Sequence, residues 1–171
     1  IAKAAGVAEG TIYKYFKSKK DLLFSLVMPA LIQLAGPFLL KDVADIIQEN
    51  RPVGEILEKI MLNRLQLVGE NWEAITVAFQ EMQYNPEIKE AIVNHIAAKA
   101  RALLEELFRT RIAKGELRDL DVNAMVRMLF AMIAGYLVSK QVLSKEAAAW
   151  DDAQEIQRMI EIYIHGVARK P

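Results

Sequence analysis

The sequence predicts an all-α protein, with a short helix-turn-helix head followed by a long helical body. Three observations carry that prediction. Apolar residues recur at spacings of three and four through nearly every long segment, and almost no stretch alternates with period two. Capping residues, prolines and glycines punctuate the chain at helical intervals. The first 20 residues hold five lysines against Glu9 alone, a net +4, so the rest of this neutral chain carries −4. A basic head on an acidic body suits a polyanion at one end only.

The elements follow in order. Residues 1–5 read as the end of a helix stopped by Gly6, which can take the left-handed conformation that closes one. A second short helix spans about 9–16. Ser18-Lys19-Lys20-Asp21 has the spacing of a capping box and starts a long helix. Pro29 and Pro37 should kink or break it, leaving a separate short piece at about 41–49. Pro52 opens a helix at 53–70, and another spans 71–84 with Trp72, Ile75, Phe79 and Met82 on one face. Asn85-Pro86 pairs a capping side chain with proline at the first helical position. The helix it starts runs to Lys114, where Gly115 closes it. Asp121 caps a helix to about Leu143, and Asp151 or Asp152 caps the last, ending near Ala168. Two units are expected: a head at 1–24, incomplete at its N-terminus because the chain opens inside a helix, and a body at 25–171.

Composition narrows the function classes. Apolar residues make up 53% of the chain, enough for a sizeable core with apolar surface to spare for a partner or a pocket. Cysteine is absent, which removes disulfides, thiolate metal sites and a cysteine nucleophile and points to a cytoplasmic setting. Leu22–Leu40 is an uncharged run of membrane-spanning length. Its internal Pro29, Gln33, Gly36 and Pro37 instead favour a core helix, and no membrane partner is expected. Neither a metal nor a cofactor is expected. With two histidines, no cysteine and no glycine-rich phosphate loop there is little to build an enzyme from. The Glu-x-x-His spacing of di-iron bundles is also absent, since Glu161 and His165 stand four apart.

The informative segment is Ile1 to Leu23. Two short helices meet at the tight turn Ala5-Gly6-Val7. Ile12 and Phe16, four apart, would pin the second helix to the core, leaving Thr11, Tyr13, Lys14, Tyr15 and Lys17 on its other faces. A helix so placed enters the major groove with its N-terminal residues on base edges, and hydroxyl and ammonium groups around it hold phosphates. The run Gly6-Val7-x-x-Gly10-Thr11-Ile12-Tyr13-x-Tyr15-Phe16-x-x-Lys19-x-x-Leu22-Leu23 resembles the signature of the TetR family of transcriptional regulators. Gly115-Glu116-Leu117-Arg118-x-Leu120-Asp121 is similar to that family's loop before its dimerisation helices. The resemblance implies phosphate contacts by Thr11, Tyr13, Tyr15 and Lys19, and base-reading positions at Glu9, Gly10 and Lys14. It also implies a palindromic double-stranded operator, a homodimer, and repression relieved by a small hydrophobic effector. Ala8 departs from the family pattern, which often has Ser or Thr there, and its missing cap would cost ~1 kcal/mol.

In the body, Arg64 shares a face with Leu57, Ile60, Met61 and Val68, and His95 shares one with Ile88, Ile92 and Lys99. A buried arginine needs an acceptor, for which Glu70, Glu73 and Glu81 are candidates. Either residue could instead orient a ligand. An apolar effector pocket is expected among the helices at 22–35, 53–70, 71–84 and 86–114, lined by Met28, Met61, Arg64, Phe79, Met82 and His95. Met125, Leu129, Met132 and Tyr136 repeat at helical spacing, as do Ile156, Ile160, Tyr163 and Ile164. Such a terminal pair fits a two-fold four-helix interface; the alternative is that these stripes cover the chain's own core. The competing function is a helical interaction module whose basic head binds a protein or a membrane surface.

Overall fold

A computed structural model describes residues 6, 8–16 and 18–143, and 149–167. The expected helix at 1–5 and Ala168 lie outside them. Among the described residues no element is a strand, and eight α-helices follow in order. These are α1 Glu9–Tyr15, α2 Lys19–Ile47, α3 Val53–Glu70, α4 Trp72–Tyr84, α5 Pro86–Ile92, α6 Ala98–Ala113, α7 Val122–Val138 and α8 Asp152–Val167. A π-helical turn, Val93–Ala97, joins α5 to α6, and a second, Ser139–Leu143, extends α7.

Helix starts follow the side chains that cap them. Ser18 Oγ accepts from the backbone N–H of Asp21 at 3.0 Å. Asp121 Oδ1 accepts from the N–H groups of Asn123 and Ala124 at 2.8 and 3.2 Å. Asp151, and not Asp152, caps α8 through Ala153 and Gln154. Each bond satisfies a donor that has no partner inside its own helix. Gly6 and Gly115 have φ of +68° and +74°, the left-handed conformation in which glycine carries no steric penalty. Asn85 makes no capping bond to α5; its amide donates to the Glu81 carboxylate instead.

The expected break in α2 is not found. Pro29 and Pro37 lie within one helix of 29 residues, so the segment at 41–49 is the end of that helix. Each proline deletes one internal hydrogen bond, but α2 packs on α5, the Val93–Ala97 turn, α3 and α6. Helices in proteins draw most of their stability from such tertiary packing. The division drawn after residue 24 also falls inside α2, so head and body share a helix.

The main core lies between α3, α6, α7 and α8, where Ile56, Leu57, Met61, Phe108, Val126, Leu129 and Ile156 are fully buried. A second, smaller cluster joins Ile32 of α2 to Ile88 and Ala91 of α5, with Met28, Met82, Ile92 and Ile96 against it. Arg111, 7% exposed, is a buried cation the apolar pattern gave no sign of; its Nη1 donates to both carboxylate oxygens of Glu116, at 2.8 and 2.9 Å. That pair ties α6 to the loop beyond Gly115, beside the Glu116 and Leu117 N–H groups on the Arg111 carbonyl.

Candidate nucleic-acid and effector sites

The head presents one outward face. In α1, Ile12 and Thr11 are half-buried while Gly10 and Lys14 are exposed, and Phe16, in the extended residue that ends the helix, is half-buried too. Tyr13 is 51% and Tyr15 79% exposed. Two large rings left in water by the helix that Ile12 anchors are costly surface, unless a partner covers them. Ala8 supplies no side-chain cap, as its methyl dictates; Thr11 N–H donates to the Ala8 carbonyl at 2.9 Å. The side chains of Glu9 and Lys19, and all of Lys3 and Lys17, lie outside the described residues.

The six residues expected to line an effector pocket do not converge on one site. Met28 and Met82 meet in the small α2–α5 cluster. Met61 is fully buried in the main core. Phe79 is 66% exposed, on a helix with no buried residue. Arg64 reaches α2: its Nη1 donates to the Leu39 carbonyl at 2.6 Å, and its Nε to Asn63 Oδ1 at 3.0 Å. Asn63 in turn donates to Asp42 at 3.3 Å. The acceptors expected at Glu70, Glu73 and Glu81 are thus replaced by main chain and amide of neighbouring turns. Burial pulls the Arg64 guanidinium below its ordinary value, with Asp42 opposing. His95 is half-buried in the π-helical turn, and its backbone carbonyl lies hard against Gly36 of α2.

Two concavities lie away from the six residues expected to line a pocket. A cavity of about 650 Å³ lies between α3 and the π-helical extension of α7, lined by Leu62, Leu65, Gln66, Leu137, Lys140 and Asp152 among others. Its polar edge is a network in which Tyr136 Oη and Lys140 Nζ both donate to Asp152 Oδ1, with Trp150 packed against the Tyr136 ring. The lone lysine in the apolar stretch after Asp121 was the available signal. A shallower groove of about 460 Å³ runs between α2 and α6, over Pro37, Leu40, Ala44, Ala102 and Leu103, with Lys41, Lys99 and Glu106 at its rim.

The stripes read as a dimer interface need correction. Met125, Leu129, Tyr136, Ile156, Ile160 and Tyr163 are all at most 6% exposed inside the single chain. Tyr163 donates its hydroxyl to the Met125 carbonyl at 2.9 Å. Met132 and Ile164 are half-buried against the same core. The periodicity was right and its partner was wrong: α8 packs on α3, and α7 on α6. A different stripe faces outward on α7 and its extension, namely Met128, Ala131, Gly135, Val138 and Val142. The segment Val122–Leu143 is long and apolar enough to cross a membrane by length and composition, with 22% of the window buried.

An exposed, lysine-bearing short helix at the N-terminal end of an all-helical body suits a DNA-reading head. The chain belongs to the TetR family of bacterial regulatory proteins: residues 1–26 match that family's N-terminal domain, and residues 56–166 match the AefR-like transcriptional repressor C-terminal domain. It is 34% identical over 135 residues to the fatty acid metabolism regulator protein of Bacillus subtilis, covering 78% of this chain and 66% of that one. The chain thus spans just under two thirds of the length of that curated relative. It superposes on the Bacillus subtilis transcriptional regulator FadR in complex with stearoyl-CoA with a TM-score of 0.67 and 26% identity, over 96% of this chain and 85% of that one. A regulator from Saccharomonospora viridis in complex with choline gives a TM-score of 0.70 at 17% identity, over 99% and 85%, a likeness of fold.

Proposed function

We propose that this protein is a dimeric transcriptional repressor of the bacterial cytoplasm that leaves a palindromic operator when it binds a long-chain acyl-CoA. The observation that carries the DNA reading is the outward face of α1, where Tyr13, Lys14 and Tyr15 stand in solvent while Ile12 and Phe16 turn inward. It supports Lys14 at a base edge and the two tyrosines, with Thr11, on phosphates. Lys19 starts the helix that joins head to body, so its ammonium suits a phosphate. Glu9 and Gly10, at the start of α1, belong to the same base-reading end. The acyl-CoA reading rests on the 34% identity to a fatty acid metabolism regulator and the fold shared with a stearoyl-CoA complex. The dimer reading rests on the outward stripe of α7, whose members at 128, 131, 135, 138 and 142 alternate by three and four. That is the spacing of a helix–helix seam, and continuing it across a two-fold axis makes a four-helix bundle.

The test is titration of the full-length protein on its operator and on random duplex at two salt concentrations. Lys14→Ala should cost ~1–3 kcal/mol on the operator and less on random sequence. Lys19→Ala should weaken both DNAs alike and lower the salt slope by about one per site. No loss with either variant would remove this face of the head from DNA.

A further inference from the structure

The cavity of about 650 Å³ takes its walls from α3, from α7 with its π-helical extension, and from the first residue of α8; among the described residues α2 contributes none. Its volume falls in the range of small-molecule sites. Leu62, Leu65 and Leu137 give it an apolar floor, and the charged groups stand around that floor. Those charges do not balance. Lys140, in the π-helical turn, is held by Asp152, whose same oxygen also accepts from the Tyr136 hydroxyl. Glu70, near the mouth, is exposed and accepts from the Gln66 amide at 2.9 Å. It is in no ion pair among the described residues. Glu70 and Asp152 against Lys140 leave the lining at a net −1. An anion entering here would meet two carboxylates and an ammonium already committed to one of them. A cation would find the Glu70 carboxylate open, and a compact apolar body would find the leucines. Gly69 leaves the way in clear, since a Cβ added there meets nothing within 4 Å.

We propose that this cavity is a second small-molecule site, separate from that of an acyl-CoA effector, and that it takes an organic monocation with a compact apolar body, the ammonium on Glu70 and the body on Leu62, Leu65 and Leu137. The site goes beyond the acyl-CoA reading and does not rest on it. The head of an acyl-CoA is a polyanion, which the lining repels, so the two ligand classes do not compete for one place. Because Glu70 is exposed, its charge adds only a few-fold to affinity. Burial of the apolar body on the leucines supplies the larger share.

The experiment is calorimetric titration of the full-length protein with benzyltrimethylammonium, and with phenylpropionate as an anion of similar size. The cation should bind at least about fivefold more tightly than the anion, the preference shrinking at high salt. Glu70→Gln keeps the shape of the rim and should weaken the cation roughly three- to fivefold without weakening the anion. Gly69→Phe places a ring in open space at the mouth and should weaken the cation at least about tenfold. Palmitoyl-CoA, below its micelle concentration, should not displace the cation. A wild type that binds no cation, or binds it no better than the anion, overturns the site. So does a cation that binds both variants as it binds the wild type. Displacement by palmitoyl-CoA would make this cavity the acyl-CoA effector's own place and end the claim of a second site, while the acyl-CoA reading would survive.

Discussion

The backbone of Gly36 touches the carbonyl of His95. A methyl group at position 36 would stand 2.7 Å from that oxygen, a separation that ordinary contacts do not reach. The obstacle is main chain in a helical turn, so no side-chain rotation relieves it. Gly36→Ala should therefore cost ~1–3 kcal/mol, the range for overpacking a tight contact. Urea unfolding would measure it as a lower midpoint at unchanged slope. An alanine variant as stable as the wild type would mean that α2 and the π-helical turn part easily, and would remove Gly36 as a fixed point.

The outward stripe of α7 gives the second prediction. Met128, Val138 and Val142 are 57%, 43% and 63% exposed in the single chain. Val138→Glu should give a folded monomer of 19.3 kDa by sedimentation, because one charge at each two-fold-related position is desolvated without a partner. Leu129 and Ile160, 0% and 5% exposed, lie in the chain's own core. Glutamate there should unfold the protein and not merely split it. A Val138→Glu protein that still sediments as a dimer would place the interface elsewhere.

Asp152 gives the third. Burial pushes its carboxyl up, but the ammonium of Lys140 and the hydroxyl of Tyr136 outweigh that and hold it below its ordinary 3.8. A carboxyl lowered in the folded state contributes stability that is full above its unfolded value and is lost as pH falls through the folded one. Asp152→Asn should therefore be less stable than the wild type by about 0.5–1 kcal/mol at pH 7, a figure kept small by solvent screening. The gap should close below pH 3.8. Unfolding curves at pH 7 and pH 3 check it; a gap of the same size at both would mean that packing, and not charge, holds this edge of the cavity.

Much of the fold was legible because its signals are local. Ser18 and Asp121 cap the helices their spacing announced, and Gly115 closes α6 at positive φ. A side-chain oxygen three residues before a free N–H, or a residue without a Cβ penalty, needs no distant partner to act. The outward face of α1 was legible for a related reason. Ile12 lies on one side of a single short helix, so the sides it leaves for Tyr13, Lys14 and Tyr15 follow from 3.6 residues per turn.

What the sequence could not decide was which surface each stripe would meet. The 3.6-residue period shows that Met125, Leu129, Ile160 and Tyr163 need burial, but it treats a neighbouring helix and a second subunit alike. Packing of α8 on α3 and of α7 on α6 chose the chain's own core, and the apolar stripe left outside it fell to Met128, Val138 and Val142. In the same way, the two prolines of α2 argued locally for a break, and tertiary contacts along the helix overrode them. Arg64 advertised a need for an acceptor, and only the crossing of α2 over α3 put the Leu39 carbonyl within its reach. The contact of Gly36 with His95 and the groove beyond it belong to the same category. They are properties of two helices crossing, and residues 59 positions apart carry no local record of how closely their backbones will meet.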